Sequence, residues 1–273
     1  MPLPLSLRIA PIPHPLNATV RVPGSKSLTN RALLIAALAN GTTRLTNALF
    51  SDDSRYFASA LKTLGFDVQL DEANHEMTVT GLGGNIPAKQ AELFIGNAGT
   101  AARFLSAFLT LGNGEYILDG DARMRERPIG DLVAALEQLG CDIQPLEKVE
   151  SGKSVCPPIR IFASGLKGGK TKIAGDISSQ FLSALLMVAP YAKIPVEIEL
   201  TTDLNSKPYV DMTIAIMRDF GVEVKRDGYQ SFMIPLSTFH SPLATFTIES
   251  DASAASYFFA APAICGGTVR VEN

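Results

Sequence analysis

The chain has 273 residues, 46% of them apolar and 19% charged, and a formal net charge of −3. This length gives room for one large domain or two ordinary ones with an ample core. The near-neutral charge gives no general attraction to nucleic acid or to an anionic membrane surface, so neither is an expected partner.

Targeting and metal-binding signals are also missing from the sequence. The proline-rich start does not resemble a signal peptide, and no apolar run approaches the ~20 residues of a membrane-spanning helix. The three cysteines and three histidines are scattered without metal-ligand spacing. We therefore expect a soluble protein of the reducing cytoplasm, with no metal and no membrane partner.

The first predicted helix is apolar but begins with cationic and hydroxyl-bearing residues. The stretch PGSKSLTNR (23–31) leads into ALLIAALA (32–39), which is apolar on every side and predicts a buried helix. Two interpretations of the start are open. The serines can cap the helix, or the free N–H groups of the first turn can bind an anion together with Lys26 and Arg31.

The same arrangement recurs along the chain. Small-residue turns lead into apolar helices at Gly24, Gly96 and Gly175. After each comes a strand and a second helix, which ends at Gly65, Gly140 or Gly221 before an alternating strand. A fourth copy starts in FTIESDASAASYFFAAPAICGGTVRVEN (246–273) and stops early. We predict an α/β fold of repeated units with buried, parallel helices and a truncated last unit.

Parallel buried helices would bring their starts together at one end of the domain. The loop DGDARMRERPIG (119–130) should add further cationic side chains there. The residues concerned are Lys26, Ser27, Arg31, Asn97, Gly99, Thr100, Arg103, Arg123, Arg125, Arg127, Ser178, Ser179 and Gln180. Convergent helix dipoles with such side chains form a site for phosphates and carboxylates, so three copies favour anion binding over capping alone.

Five motifs follow one another at fixed spacing: PGSKSLTNRALLIAALA, GNAGTAARF, DGDARMRERPI, GDISSQFLSALL and SKPYVDMTI. In order and spacing they resemble the N-terminal part of the 5-enolpyruvylshikimate-3-phosphate synthase family. The resemblance implies two similar domains, each of three βαβαββ units with buried parallel helices and outer sheets, an inside-out α/β barrel. By resemblance, the first domain covers 23–243 with repeats at about 24–95, 96–174 and 175–243, whereas 1–22 and 244–273 belong to the second domain.

The family transfers the enolpyruvyl group of phosphoenolpyruvate to the 5-hydroxyl of shikimate 3-phosphate and releases phosphate, with no cofactor. The resemblance implies shikimate 3-phosphate contacts from Lys26, Ser27, Arg31, Ser178, Ser179, Gln180, Ser206 and Tyr209. It implies phosphoenolpyruvate contacts from Lys26, Asn97, Gly99, Thr100, Arg127 and Gln180, with Gly99 allowing close approach of the ligand. Glyphosate competes with phosphoenolpyruvate in this family, but Phe104 stands where some members carry proline, so no glyphosate response is carried over.

The catalytic acid and base are not assigned to this chain. In the family these carboxylates lie in the C-terminal part, expected beyond Asn273, so the C-terminal remainder of the enzyme is an expected partner. Asp251 begins the helix of the fourth unit and is interpreted as its N-cap, not as a catalytic base.

Three other interpretations stay open. The sister transferase acting on UDP-N-acetylglucosamine uses a cysteine in the loop at 119–130, where this chain has none and Ala122 stands near its place. The chain can also be a non-catalytic ligand-binding fragment, because closure of two domains completes the family's site. A purely structural repeat protein would bind no anion at all.

Overall fold

The computed structural model describes residues 6, 10–147, 154–240 and 244–272. The helices are α1 (Lys26–Leu38), α2 (Asp52–Thr63), α3 (Gly99–Leu109), α4 (Gly130–Gln138), α5 (Ser179–Val188), α6 (Lys207–Asp219) and α7 (Ala252–Cys265). The strands are β1 (Leu16–Arg21), β2 (Asn40–Thr46), β3 (Asp67–Asp71), β4 (Glu76–Leu82), β5 (Gln90–Phe94), β6 (Asn113–Asp119), β7 (Asp142–Pro145), β8 (Ile159–Ser164), β9 (Gly169–Ile173), β10 (Val196–Leu200), β11 (Lys225–Asp227), β12 (Ser231–Ile234), β13 (Thr245–Thr247) and β14 (Gly267–Glu272). The predicted domain end at 243 and parts of the segment 1–22 lie outside the described residues.

Three four-stranded sheets share one strand order: β5-β6-β8-β7, β9-β10-β12-β11 and β13-β2-β4-β3. In each sheet the first pair is parallel and the other two pairs are antiparallel. Parallel neighbours need a crossover connection, which α3 supplies between β5 and β6 and α5 between β9 and β10. The three sheets are separate, so the described residues form no closed barrel, and the predicted inside-out barrel is wrong in that respect.

Strand β13 lies beyond the predicted boundary between 243 and 244, yet it completes the four-stranded sheet that contains β2, β4 and β3. Thr245 pairs with Arg44 and Thr247 with Thr46 in a parallel ladder with β2. The strand that precedes α1 in sequence, β1, instead pairs in parallel with β14 near the C-terminus. In the other two sheets the strand before the inner helix pairs with the strand after it, as β5 pairs with β6. Beside β2 that position is taken by β13 instead of β1. The chain crosses between units at 22–25 and again at 248–251, where Ser25 N–H donates to Glu249 O and Asp251 N–H to Pro23 O.

The core is built from α1, α3 and α5. Every residue of α3 is buried, as are the stretch from Leu28 to Leu38 in α1 and all of α5 except Gln180. A helix that is apolar all round has no polar face to leave in water, which is why these three lie inside. Helix α3 packs against both α1 and α5, and residues from the first turns of all three helices line one cavity.

The second helices of the units, α2, α4 and α6, lie outside and bury only one face. Each is followed by a glycine with a left-handed backbone: Gly65 has φ 95°, Gly140 φ 87° and Gly221 φ 85°. Glycine adopts this conformation without steric cost because it has no Cβ, and the conformation ends the helix, as the sequence predicts.

The C-terminal unit contrasts with the rest. It consists of the two-stranded sheet β1-β14 and of α7, in which Ala255 is the one buried residue. Tyr257 and Ile264 on α7 are 79% and 82% exposed, although the helix is as apolar in sequence as the buried ones. No helix in the described ranges is both long and apolar enough to cross a membrane.

Candidate functional site

The start of α1 has a side-chain cap and also borders a cavity. Ser25 is the N-cap, and its Oγ accepts a hydrogen bond from the N–H of Leu28 at 3.4 Å. Lys26 and Ser27, which follow it, line a cavity. Gly24 allows this turn, because a Cβ there would collide with the carbonyl oxygen of Asn47. Capping therefore uses Ser25, and Lys26 and Ser27 face the cavity.

The start of α3 has no side-chain cap and is bordered by a cation. Arg127 donates from Nη1 to the backbone oxygen of Asn97 at 3.1 Å and to its Oδ1 at 3.2 Å. The guanidinium lies directly on Gly99: a Cβ there would be 2.6 Å from Nη1 and 2.7 Å from Cζ of Arg127. The glycine thus makes room for Arg127, and the close ligand approach expected from sequence stays a prediction. Thr100, in the first turn, lines the cavity.

The start of α5 resembles that of α1. Ser178 is the N-cap, with its Oγ accepting from the N–H of Gln180 at 3.2 Å. Ser179 follows in the first turn and lines the cavity. The side-chain Nε2 of Gln180 donates to Thr100 Oγ1 at 3.4 Å, which links the starts of α5 and α3. None of the first turns of α1, α3 and α5 carries an acidic residue, so their positive dipole ends are not neutralised locally.

A fourth helix start, that of α6, adds two more of the expected residues. Ser206 precedes the helix in a left-handed conformation (φ 56°, ψ 44°), which is uncommon for a residue with a side chain. Backbone strain of this kind concentrates at functional sites, where the surroundings hold it in place. Tyr209, one turn further on, is 38% exposed and faces the same cavity.

These four starts enclose a cavity of about 450 Å³. It is lined by Lys26, Ser27, Arg31, Thr100, Asp176, Ile177, Ser178, Ser179, Gln180, Asn205, Ser206 and Tyr209. Of the residues assigned to ligands from the sequence, Asn97, Gly99 and Arg127 lie outside this lining and adjoin it through Thr100. The helix starts therefore meet at one cavity, as predicted from the sequence.

The sequence reasoning missed Asp176, Ile177 and Asn205 in the lining. Asp176 accepts from Thr202 Oγ1 at 2.8 Å, and Asn205 Nδ2 donates to the backbone oxygen of Asp176 at 2.8 Å, so both brace the loop before α5. Asp176 stands within the motif GDISS, but a carboxylate is not an expected ligand of an anion, so nothing in the sequence indicated that it lines the cavity.

Two arginines of the 119–130 loop have other roles: Arg125 pairs with Asp119 at 2.6 Å and Arg123 with Glu126 at 2.7 Å.

Arg31 is the most buried charge beside the cavity, with 1% of its surface exposed. Burial lowers the pKa of its guanidinium to about 10, while the nearby Tyr209 opposes this shift. The group stays protonated at neutral pH, and no carboxylate in the described ranges forms an ion pair with it. An unneutralised cation at a helix start strengthens the attraction of this cavity for anions.

Arg103 repeats this arrangement on α3. It is 6% exposed and donates from Nη1 to Gly99 O at 3.0 Å and from Nη2 to Pro128 O at 3.1 Å. Burial, followed by the nearby positive charge of Arg127, lowers its pKa to about 10. Arg103 does not line the cavity, so it acts as a buried brace between α3 and the loop that carries Arg127.

The comparison with known proteins agrees with this geometry. The model of the family EPSP synthase (3-phosphoshikimate 1-carboxyvinyltransferase) matches residues 11–273. The 3-phosphoshikimate 1-carboxyvinyltransferase of Sulfurovum sp. (strain NBC37-1) is 53% identical over 269 residues, covering 98% of this chain and 62% of the relative. That of Shewanella loihica is 54% identical over 268 residues with the same shares of coverage.

Among solved structures, EPSP synthase from Acinetobacter baumannii superposes with a TM-score of 0.80 at 26% identity, over 94% of this chain and 55% of that one. The chain thus spans 62% of the length of the curated relatives it matches. A family model that matches nearly the whole sequence, a shared mixed α/β fold and a cavity at converging helix starts lead to one conclusion: the chain belongs to the EPSP synthase family.

Proposed function

We propose that this chain supplies the shikimate 3-phosphate-binding half of an enzyme that transfers the enolpyruvyl group of phosphoenolpyruvate to the 5-hydroxyl of shikimate 3-phosphate, with release of phosphate. The observation that carries the proposal is the cavity at the starts of α1, α3, α5 and α6, which contains every residue assigned to shikimate 3-phosphate. Its cations and free N–H groups suit a ligand with a phosphate and a carboxylate.

In this proposal the two substrates occupy adjoining parts of the site. Shikimate 3-phosphate binds in the cavity, and phosphoenolpyruvate binds towards Asn97, Gly99, Thr100 and Arg127. Lys26 and Gln180 contact both ligands. The hydrogen bond from Gln180 to Thr100 supports this arrangement because it joins the two parts directly.

The chain's own residues would contribute binding, orientation and charge. Lys26, Arg31, Arg127 and the helix dipoles stabilise the negative charge that builds up on the departing phosphate. Proton transfer to the methylene carbon and from the 5-hydroxyl requires an acid and a base, which we assign to the remainder of the enzyme beyond Asn273. Without that part we expect binding and no turnover.

The domain organisation is part of the same proposal. We infer three βαβαββ units, completed for the first unit by β13, and the start of a second similar domain formed by β1, α7 and β14. The identical strand order of the three four-stranded sheets supports the repeat, and the separate β1-β14 pair supports the second domain. We propose small anionic substrates and the C-terminal remainder as partners, neither nucleic acid nor membrane, and a cytoplasmic location.

The sister activity on UDP-N-acetylglucosamine is the competing chemistry. It relies on a cysteine in the loop that here reads DGDARMRERPIG, and no cysteine occurs there or in the cavity lining. The exposed position of α7 favours a different alternative, a non-catalytic ligand-binding fragment, in which the site binds but never closes.

Titration calorimetry with shikimate 3-phosphate tests binding directly. Wild type should bind, and Lys26→Ala should bind at least about tenfold more weakly, since a charged hydrogen bond to phosphate is lost. Lys62→Ala, on the outer helix α2, is the matched control and should leave the affinity unchanged. Absence of binding by wild type would reject the proposed site.

A phosphate-release assay tests whether this chain supplies binding only and the C-terminal part supplies the catalytic acid and base. The chain alone should give no turnover, and adding a separately produced C-terminal part should restore it. Turnover by residues 1–273 alone would show that the chain holds its own acid and base and that the half-enzyme proposal is wrong.

A further inference from the structure

The guanidinium of Arg31 is held by residues from three other helices. Its Nε donates to Thr213 Oγ1 on α6 at 2.7 Å, and its Nη2 donates to Ser183 Oγ on α5 at 3.1 Å and to the backbone oxygen of Tyr209 at 3.3 Å. The ring of Phe104 on α3 lies 5.3 Å from its Cζ. The position of this cation is therefore decided by residues far away in sequence.

Thr213 and Ser183 are the centre of this arrangement. Both are fully buried, neither lines the cavity, and their hydroxyl oxygens are 2.9 Å apart. Thr213 Oγ1 also donates to the backbone oxygen of Tyr209 at 2.8 Å, which fixes the first turn of α6. The two hydroxyls thus connect Arg31 to the helix that presents Tyr209.

The chemistry of these partners matters as much as their position. Hydroxyl and carbonyl oxygens accept hydrogen bonds without carrying a negative charge, so they orient the guanidinium and leave its charge in place. A carboxylate would hold it as firmly but would cancel the attraction for an anion. With Nη1 also donating to Ser27 O at 2.9 Å, four of the five N–H groups have acceptors in the described part of the chain. The fifth, on Nη1, is left for a ligand.

We propose that Thr213 and Ser183 are positioning residues: their buried hydroxyls hold Arg31 so that its remaining N–H group and its full charge face the anionic ligand. The inference rests on the proposed function, because it names residues that act through Arg31 at the same cavity. It assigns a role in binding to two residues that the ligand itself does not touch.

Calorimetric titration of the chain with shikimate 3-phosphate tests this. Thr213→Val keeps the shape of the side chain and removes the acceptor of Arg31 Nε, and Ser183→Ala removes the acceptor of Nη2. We expect each to weaken binding by about tenfold or more, since hydrogen bonds to charged groups are lost. Thr213→Ser retains the hydroxyl and should bind within about threefold of wild type.

A matched control and a mutant cycle separate this role from a merely structural one. Thr171 is equally buried, on β9, where its hydroxyl donates to Ala135 O at 2.9 Å. Thr171→Val should lower stability to a similar extent and leave the affinity unchanged. In an Arg31→Lys background, which lacks Nε and the planar fork, Thr213→Val should cause little further loss, because the two residues act as one unit.

The outcomes distinguish this inference from the proposed function. If wild type binds and both Thr213→Val and Ser183→Ala bind equally well, the positioning role is overturned and the proposed function stands. An additive loss in the Arg31→Lys background overturns it too. If wild type does not bind, both fall. Should Thr213→Val fail to fold, Ser183→Ala alone decides.

Discussion

Helices α5 and α7 have similar apolar sequences and opposite surroundings. In α5, nine of ten residues are buried, whereas in α7 one of fourteen is. Helix α5 is enclosed by α3, α4 and α6, while the main contacts of α7 within the described part of the chain are with β14 and β1. The comparison teaches that an apolar sequence predicts which helix can be buried, and that neighbouring units decide whether it is.

The same two helices differ at their starts. Ser178 caps α5 with a neutral hydroxyl, and the following residues face the cavity. Asp251 caps α7 with a carboxylate whose Oδ1 accepts from Ser253 N–H at 2.8 Å and Ala254 N–H at 3.2 Å, which confirms its predicted capping role. A capping carboxylate neutralises the positive end of the dipole, so the start of α7 does not attract anions as the other starts do.

Two matched substitutions test the difference in burial and should give the largest effect. Ile35 on α1 is fully buried, and Ile264 on α7 is 82% exposed. Ile35→Ala should lower the free energy of unfolding by about 2–5 kcal/mol, since it leaves a cavity in the core. Ile264→Ala should change it by about 0.5 kcal/mol or less. Equal losses in urea denaturation would show that α7 is as well packed as the inner helices.

Gly99→Ala tests whether the start of α3 carries a function that α7 lacks. The new Cβ would displace the guanidinium of Arg127, and the affinity for phosphoenolpyruvate in the presence of shikimate 3-phosphate should fall by about tenfold. Stability should hold, because alanine favours a helix more than glycine does. In an Arg127→Ala background the substitution should have no further effect; a second, independent loss there would place the role of Gly99 elsewhere.

The pH dependence of stability tests burial of a titratable group just after helix α4. Burial raises the pKa of the Cys141 thiol from 9.0 to about 11. Between these values the unfolded thiol ionises and the native one does not, so the unfolded state binds fewer protons and stability falls as pH rises. Urea denaturation at several pH values should show a shallower decline above pH 9 for Cys141→Ala than for wild type. Parallel declines would contradict this.

The smallest expected effect concerns the cap of α7. Asp251→Ala removes the acceptor of two N–H groups, which costs about 1 kcal/mol of local helix stability. Because α7 is little packed, we expect faster amide hydrogen exchange within α7 and an unchanged midpoint of global unfolding. Ser178→Ala, the matched change on α5, should instead lower the global midpoint, and the reverse result would remove the distinction between the two units.

Much of the fold and site follows from local patterns. The all-round apolar helices, the glycines at 65, 140 and 221 and the four small-residue turns each depend on neighbouring residues only, so the sequence predicts them. Local patterns did not indicate that β13 pairs with β2, because the strand partners Thr245 and Arg44 lie some two hundred residues apart. The grouping of 1–22 with 244–273 was expected from the family resemblance and not from a local pattern. The lining residues Asp176 and Asn205 were missed for a similar reason: they shape the loop before α5 through bonds with each other and with Thr202.

By itself, the sequence determined the order of helices and strands, the helices able to be buried, and the cationic and hydroxyl residues at their starts, since these rest on periodicity and on chemistry within one or two turns. Only the tertiary structure decided that Arg31 is buried among neutral acceptors and that Arg127 lies on Gly99. Those outcomes depend on which distant groups become neighbours, because burial and electrostatic interactions act through space and not along the chain.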